Sequence, residues 1–111
     1  MANKERLLTE ILPEFSAELA HLLEQGGQPK LAKQIATLRI FEKCNCNDDF
    51  CSSFYTRRNP HRPPGRDSRS ISLEPKSGLL ILDVVGDEII FVEVLYRDDV
   101  RAALKSALGW F

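Results

Sequence analysis

Three cysteines, Cys44, Cys46 and Cys51, fall within eight positions in a C-x-C-x4-C spacing. Thiolates are soft donors, and three of them with one imidazole would complete a tetrahedral zinc set. His61, ten residues beyond the last cysteine, is the candidate fourth ligand, and Asp48 and Asp49 lie between the second and third thiols. The spacing lacks a second C-x2-C knuckle, and the other histidine, His21, belongs to a helical stretch near the N-terminus. The plainer alternative is that one or two of the thiols are small buried hydrophobes at a strand end. A disulfide between Cys44 and Cys46 would close a strained small ring, and no C-x-x-C helix start is present to activate a thiol. Cysteine nucleophilic catalysis would need His61 or His21 as base, a proximity that spacing alone does not establish.

A second chemical feature follows directly. Residues 57 to 70 hold Arg57, Arg58, Arg62, Arg66 and Arg69 with Asp67 as the one acid, a local charge near +4 on a chain whose net charge is -1. Arginine forks match phosphates and carboxylates, and Phe54 and Tyr55 just upstream would suit base stacking. No recognisable nucleic-acid module frames the segment, so these arginines are read as a solvated loop or as a surface for a protein partner or anion, not as a nucleic-acid site. The net charge likewise removes a whole-chain case for nucleic acid or acidic membranes.

The third feature is a pair of acids, Asp83 and Glu93, inside two apolar runs. Paired carboxylates in partly apolar surroundings can act as acid and base. The alternative is that they face water or pair with Arg97 or Arg101. There is no phosphate-cradling glycine loop and no nucleophile elbow, and no catalytic residue is assigned.

The elements that must position these groups are legible from pattern. Leu7, Leu8, Ile11, Leu12, Phe15, Leu19, Leu22 and Leu23 recur at helical spacing, predicting a helix from Asn3 to Gln25 with a kink near Thr9, or two pieces, caused by Pro13. Gly26 and Gly27 close it with a left-handed cap position. Pro29 opens a second helix running to about Thr37, and Leu38, Ile40 and Phe41 lead into a strand. Ser52 to Thr56 and Ser70 to Leu73 read as short strands.

Leu79 to Val85 and Ile89 to Leu95 predict a hairpin whose register follows from its faces. A two-residue Gly86-Asp87 loop would place one acid in each apolar layer. A three-residue loop pairs Val85 with Ile89, gathers Leu80, Leu82, Val84, Ile90, Val92 and Val94 on one apolar face and puts both acids on the other, and is preferred. Leu79, Ile81, Ile89, Phe91 and Leu95 would then make the second face partly apolar, a candidate dimer or partner surface. Asp98 is expected to cap a final helix with Asp99 at its positive end, Gly109 to stop it, and Trp110 and Phe111 to fold back on its last turn.

The cysteine segment running into Phe54-Tyr55-Thr56, with Ile81-Leu82-Asp83-Val84 and the stretch from Val92 to Val100, resembles a group of small uncharacterised bacterial proteins over roughly the last two thirds of the chain. That resemblance implies a bacterial origin and a compact α+β fold and carries no catalytic residue with it.

At 111 residues, 43% hydrophobic and 28% charged, one globular domain is expected. It is an α+β domain spanning 1–111, with a helical part at 1–37 and a sheet, arginine-rich loop and C-terminal helix at 38–111. The architecture is an antiparallel sheet of about four strands with two N-terminal helices and one C-terminal helix. Charges among the first leucines argue against a signal peptide, no apolar run is long enough to span a bilayer, and the odd cysteine count fits a reducing compartment, so a soluble cytoplasmic protein is expected. In function, the first expectation is a non-enzymatic protein-protein interaction module, acting on a protein partner or as a homodimer. The second is a small zinc protein using the cysteine cluster.

Overall fold

The computed structural model describes residues 6–57 and 67–111. The chain runs β1 (Arg6–Leu7), α1 (Leu8–Ile11), α2 (Pro13–Gln25), α3 (Pro29–Gln34), a 3-10 turn (Ile35–Thr37), β2 (Arg39–Ile40), β3 (Glu42–Lys43), β4 (Phe54–Tyr55), β5 (Ser68–Leu73), β6 (Leu79–Val85), β7 (Glu88–Leu95) and α4 (Asp98–Leu108). The fold is α+β, as expected, with five antiparallel strands in the order β3-β4-β7-β6-β5 and a separate two-stranded pair of β1 with β2. The sheet thus has one strand more than expected, and of the two forms expected for the first helix the divided one is found, so that α1, α2 and α3 make up the N-terminal helical part. Strand β1, two residues long, is too short for any period to show, and the strand expected from Leu38 toward the cysteine segment is divided into β2, which pairs with β1, and β3, which joins the larger sheet.

Pro13 explains the division. The residue before a proline is pushed out of the helical region, and Leu12 takes φ -132 and ψ 69, so α1 ends there and Pro13 opens α2 at its first position. Of the helix predicted from Asn3, residues 3–5 lie outside the described residues, Arg6 and Leu7 pair with Ile40 and Arg39, and the helix begins at Leu8, whose N–H donates to the Leu38 carbonyl at 2.8 Å. At the other end of α2, Gly27 takes the left-handed conformation, and Gln28 N–H reaches back to Leu23 O.

The hairpin obeys the face argument by a device that faces alone do not reveal. The loop has two residues, with Val85 opposite Glu88, which corrects the three-residue connection. Beyond Val84 opposite Ile89, the register slips by one at a β-bulge, so Asp83 faces Phe91, Leu82 faces Val92 and Leu80 faces Val94, as the preferred register required. The extra residue is Ile90. Because of the bulge, Ile89 rather than Ile90 joins the buried face with Leu80, Leu82, Val84, Val92 and Val94. A bulge frees backbone groups that must find partners when buried. Ile89 N–H donates to Gln34 Oε1 at 2.7 Å and Ile89 O accepts from the Thr56 hydroxyl at 2.8 Å. The Gln34 amide also donates to Asp87 O at 2.7 Å, so one side chain of α3 closes the irregular end of the hairpin.

Helices α1 to α4 all deliver their buried residues to this one face. Leu8, Leu19, Leu23, Leu31, Ile35, Val100 and Leu104 form a single cluster with the sheet residues and Phe54. A Leu or Val side chain sealed from water in this way contributes about 1.5–3 kcal/mol. The second face remains half-buried or exposed along Leu79, Ile81, Asp83, Phe91, Glu93 and Leu95.

The passage from β7 into α4 is tightly constrained. Tyr96 holds φ 60, a left-handed value unusual for a non-glycine. Its N–H donates to Phe50 O at 2.8 Å and its ring stacks on Phe50 with centroids 5.0 Å apart. Arg97, only 8% exposed, follows it and occupies the position before α4, correcting the expectation that Asp98 caps the helix; Asp98 is already its first residue. The Arg97 guanidinium forks onto Glu18 of α2, at 2.7 and 2.9 Å, and onto Asp99, at 2.9 Å to both oxygens. The hydrogen bonds it donates to the two carboxylates, Glu18 first, hold the Arg97 guanidinium well above its ordinary range. The hydrogen bond from Arg97 holds the Asp99 carboxyl below the usual aspartate value, and backbone N–H groups at the helix start assist. Arg97 is therefore engaged with Glu18 and Asp99 rather than with the sheet acids.

Candidate metal centre

The three cysteines are drawn together by strand pairing on one side of the segment and by single anchors on the other. Antiparallel pairing of β3 with β4 sets Lys43 opposite Phe54, and Cys44, next in line, donates its N–H to Ser53 O at 2.9 Å. The chain turns through Asp48 and Asp49, and Cys51 N–H donates to Asp48 O at 3.3 Å. Cys51 also bridges to Leu95 at the end of β7. The result places the Sγ atoms of Cys44, Cys46 and Cys51 all within 4.8 Å of one another. Zinc–thiolate bonds of 2.3 Å in a tetrahedron need sulfurs about 3.8 Å apart, so closure asks each sulfur to move by no more than about 1 Å.

The three thiols differ in exposure. Cys51 is buried, Cys44 intermediate and Cys46 exposed. The Cys51 thiol donates to Ser53 Oγ at 3.2 Å, and the Cys51 carbonyl accepts from Arg101 of α4 at 2.9 Å. The Arg101 guanidinium lies 3.9 Å over the ring of Phe111, and the Lys43 ammonium 5.6 Å from the same ring. Trp110 packs against the core and Phe111 against Arg101, so both C-terminal aromatics fold back past Gly109, whose φ of 71 ends α4. A zinc ion with three thiolates would carry a net charge of about -1. Burial pushes the Tyr55 phenol up, with negative charge at Cys44, Glu42 and Asp83 acting in the same direction.

The other sequence-proposed groups are not brought to the sulfurs. His61, Arg58, Arg62 and Arg66 lie outside the described residues. Among the described residues, no imidazole or carboxylate joins the three thiols, and His21 instead lines a groove with Glu18, Glu74, Lys76 and Arg97. Arg57 follows β4, and Arg69 lies on edge strand β5 opposite Val84. With β7 and β6 between their strands, the two backbones are about 14 Å apart. Asp83 and Glu93 do share the second face, and Asp83 accepts a hydrogen bond from Ser70 at 2.9 Å.

Sequence reading missed Ser53, Arg101 and Arg97 as working parts. A serine two residues after a cysteine carries no signal of its own, and Arg97 and Arg101 act through contacts 79 and 50 positions away. No protein family, curated protein or solved structure matches the chain. The likeness to small bacterial proteins therefore has only the cysteine spacing behind it. Among the described residues, no helix is long and apolar enough to cross a membrane.

Proposed function

We propose that this is a small metal-binding protein that holds zinc through Cys44, Cys46 and Cys51, with His61 as the candidate fourth ligand. The observation that carries this reading is the convergence of three Sγ atoms within 4.8 Å on a segment held by strand pairing. Thiolates are donors that zinc prefers, and a site tied to β4, β7 and α4 is suited to a structural ion rather than to turnover. Protein purified under reducing, chelator-free conditions is expected to carry one zinc per chain by elemental analysis. Cys44→Ser, Cys46→Ser and Cys51→Ser should each lose most of it. Wild-type protein without stoichiometric metal, or three serine variants that all keep it, would sink the reading. His61→Ala separates a fourth protein ligand, whose loss costs affinity, from an exogenous one.

A second reading, a non-enzymatic interaction module acting as a homodimer, is favoured by the second sheet face, where Leu79 is 43% exposed and Ile81, Phe91 and Leu95 are half-buried. Monomers seldom leave contiguous apolar surface of this kind in water. Light scattering is expected to give twice the chain mass of 12.6 kDa. A concentration-independent monomer removes the dimer.

A further inference from the structure

We infer that Ser53 is the outer hydrogen-bonding partner of the metal ligand Cys51, a positioning residue whose hydroxyl proton turns onto the thiolate when metal replaces the thiol proton. This rests on the zinc–thiolate reading above. Ser53 is 2% exposed and touches two of the three ligand residues: its carbonyl holds Cys44 N–H at 2.9 Å and its hydroxyl lies 3.2 Å from Cys51 Sγ.

A serine hydroxyl has one proton to give and two lone pairs. In the metal-free state both lone pairs of Ser53 Oγ are used, by Val94 N–H at 2.8 Å and by the Cys51 thiol at 3.2 Å. Its single proton is directed at Val94 O over a long 3.4 Å. That carbonyl does not depend on it, because Val94 O already accepts Ser52 N–H at 2.8 Å. When zinc binds, the Cys51 S–H bond breaks, its proton leaves to solvent and a Zn–S bond forms. The sulfur changes from donor to acceptor, and the lone pair it occupied on Ser53 falls vacant. Rotation about Cβ–Oγ then points the Ser53 proton at the sulfur. Ser53 Oγ does not have to move for this, since Val94 N–H keeps it in place. A hydrogen bond to an ionised acceptor is about twice as strong as a neutral one, and outer partners of metal ligands typically carry 10–100-fold in affinity.

The test uses the full chain at one fixed pH, loaded with zinc for affinity and with cobalt as a spectroscopic probe. Ser53→Ala is expected to bind zinc about 10–100-fold more weakly by chelator competition. It should also move the thiolate-to-cobalt charge-transfer band to lower energy, because a thiolate without a hydrogen bond gives up electron density more readily. Ser53→Thr, which keeps the hydroxyl, should restore the band. A purely structural Ser53 would lower thermal stability and leave the band of the folded protein unmoved, overturning the inference. Should Ser53→Ala not fold, wild-type protein loaded with an NMR-active cadmium isotope supplies the answer. A scalar coupling between the metal and the Ser53 hydroxyl proton supports the hydrogen bond, and its absence in a spectrum where that proton is resolved overturns it. If wild-type protein takes up none of these metals, the zinc reading itself fails. If it loads and Ser53→Ala matches it in affinity and spectrum, only the role of Ser53 fails.

Discussion

Gly78→Ala is expected to lower stability by about 3 kcal/mol or more, a fall in melting temperature of roughly 12 °C or more for a domain of this size. Two costs coincide there. Gly78 has φ +76, which alone costs an alanine about 1 kcal/mol. A β-carbon would also stand 2.6 Å from Cγ and Cδ of Arg97 and 2.7 Å from the backbone oxygen of Leu95. The oxygen belongs to the end of β7 and cannot yield, and Arg97 can yield only by loosening its hold on Glu18 and Asp99. Gly27 provides the internal control, with φ +77 and nothing within 4 Å of an added β-carbon. Chemical denaturation of Gly27→Ala should show only the backbone cost, about 1 kcal/mol. If the two variants melt together, the close approach at Gly78 contributes nothing.

Arg97→Met should cost about 2–3 kcal/mol, at or below the lower end of the range for breaking a buried ion pair because the acids it leaves are partly hydrated. Glu18 is 28% and Asp99 65% exposed, against 8% for the arginine. Arg97→Lys should recover less than half of the loss, since an ammonium cannot present two forks at once. The acid side of the stability profile should respond as well. The Asp99 carboxyl is depressed in the folded state, so its contribution is present above the ordinary aspartate value near 4 and is lost as pH falls through its lower folded value. Arg97, held above its ordinary range, stays charged throughout and contributes no acid limb. Urea midpoints of Arg97→Met measured across this acid window should therefore fall less steeply than those of wild type, while equal slopes would show that the pair is not coupled to folding.

What pattern reading captured and what escaped it divide along sequence distance. The hydrophobic faces of β6 and β7, with the short loop between them, dictated the register from Asp83 onward, because a one-residue slip buries an acid. The bulge that delivers this register depends on Gln34 and Thr56, 55 and 33 positions from Ile89, and no local pattern announces that help. Pro13 marked the helix break, whereas the conversion of Arg6 and Leu7 into a strand required the partner at Arg39 and Ile40. Asp98 had the look of a cap, but the arginine before it took the position because Glu18, 79 residues upstream, was waiting for its guanidinium. At the cysteine site the donor types and spacing were plain in the sequence. Their convergence came from β3–β4 pairing and from the Cys51–Leu95 bridge, both of which join distant segments.

Strand order also imposes an order of assembly. Strands β5, β6 and β7 are consecutive in the chain and neighbours in the sheet, so each pairing closes a short loop at little entropic cost. Strand β4 must instead return to β7 from nearly forty residues upstream, with Phe54 meeting Val92, and β3 can dock only on β4. The meander is thus a template that exists before the cysteine segment has anything to lie against. On this order the thiols are gathered late, after β4 has returned to β7, so an ion held by them would tie the last-formed edge of the sheet to its central strand.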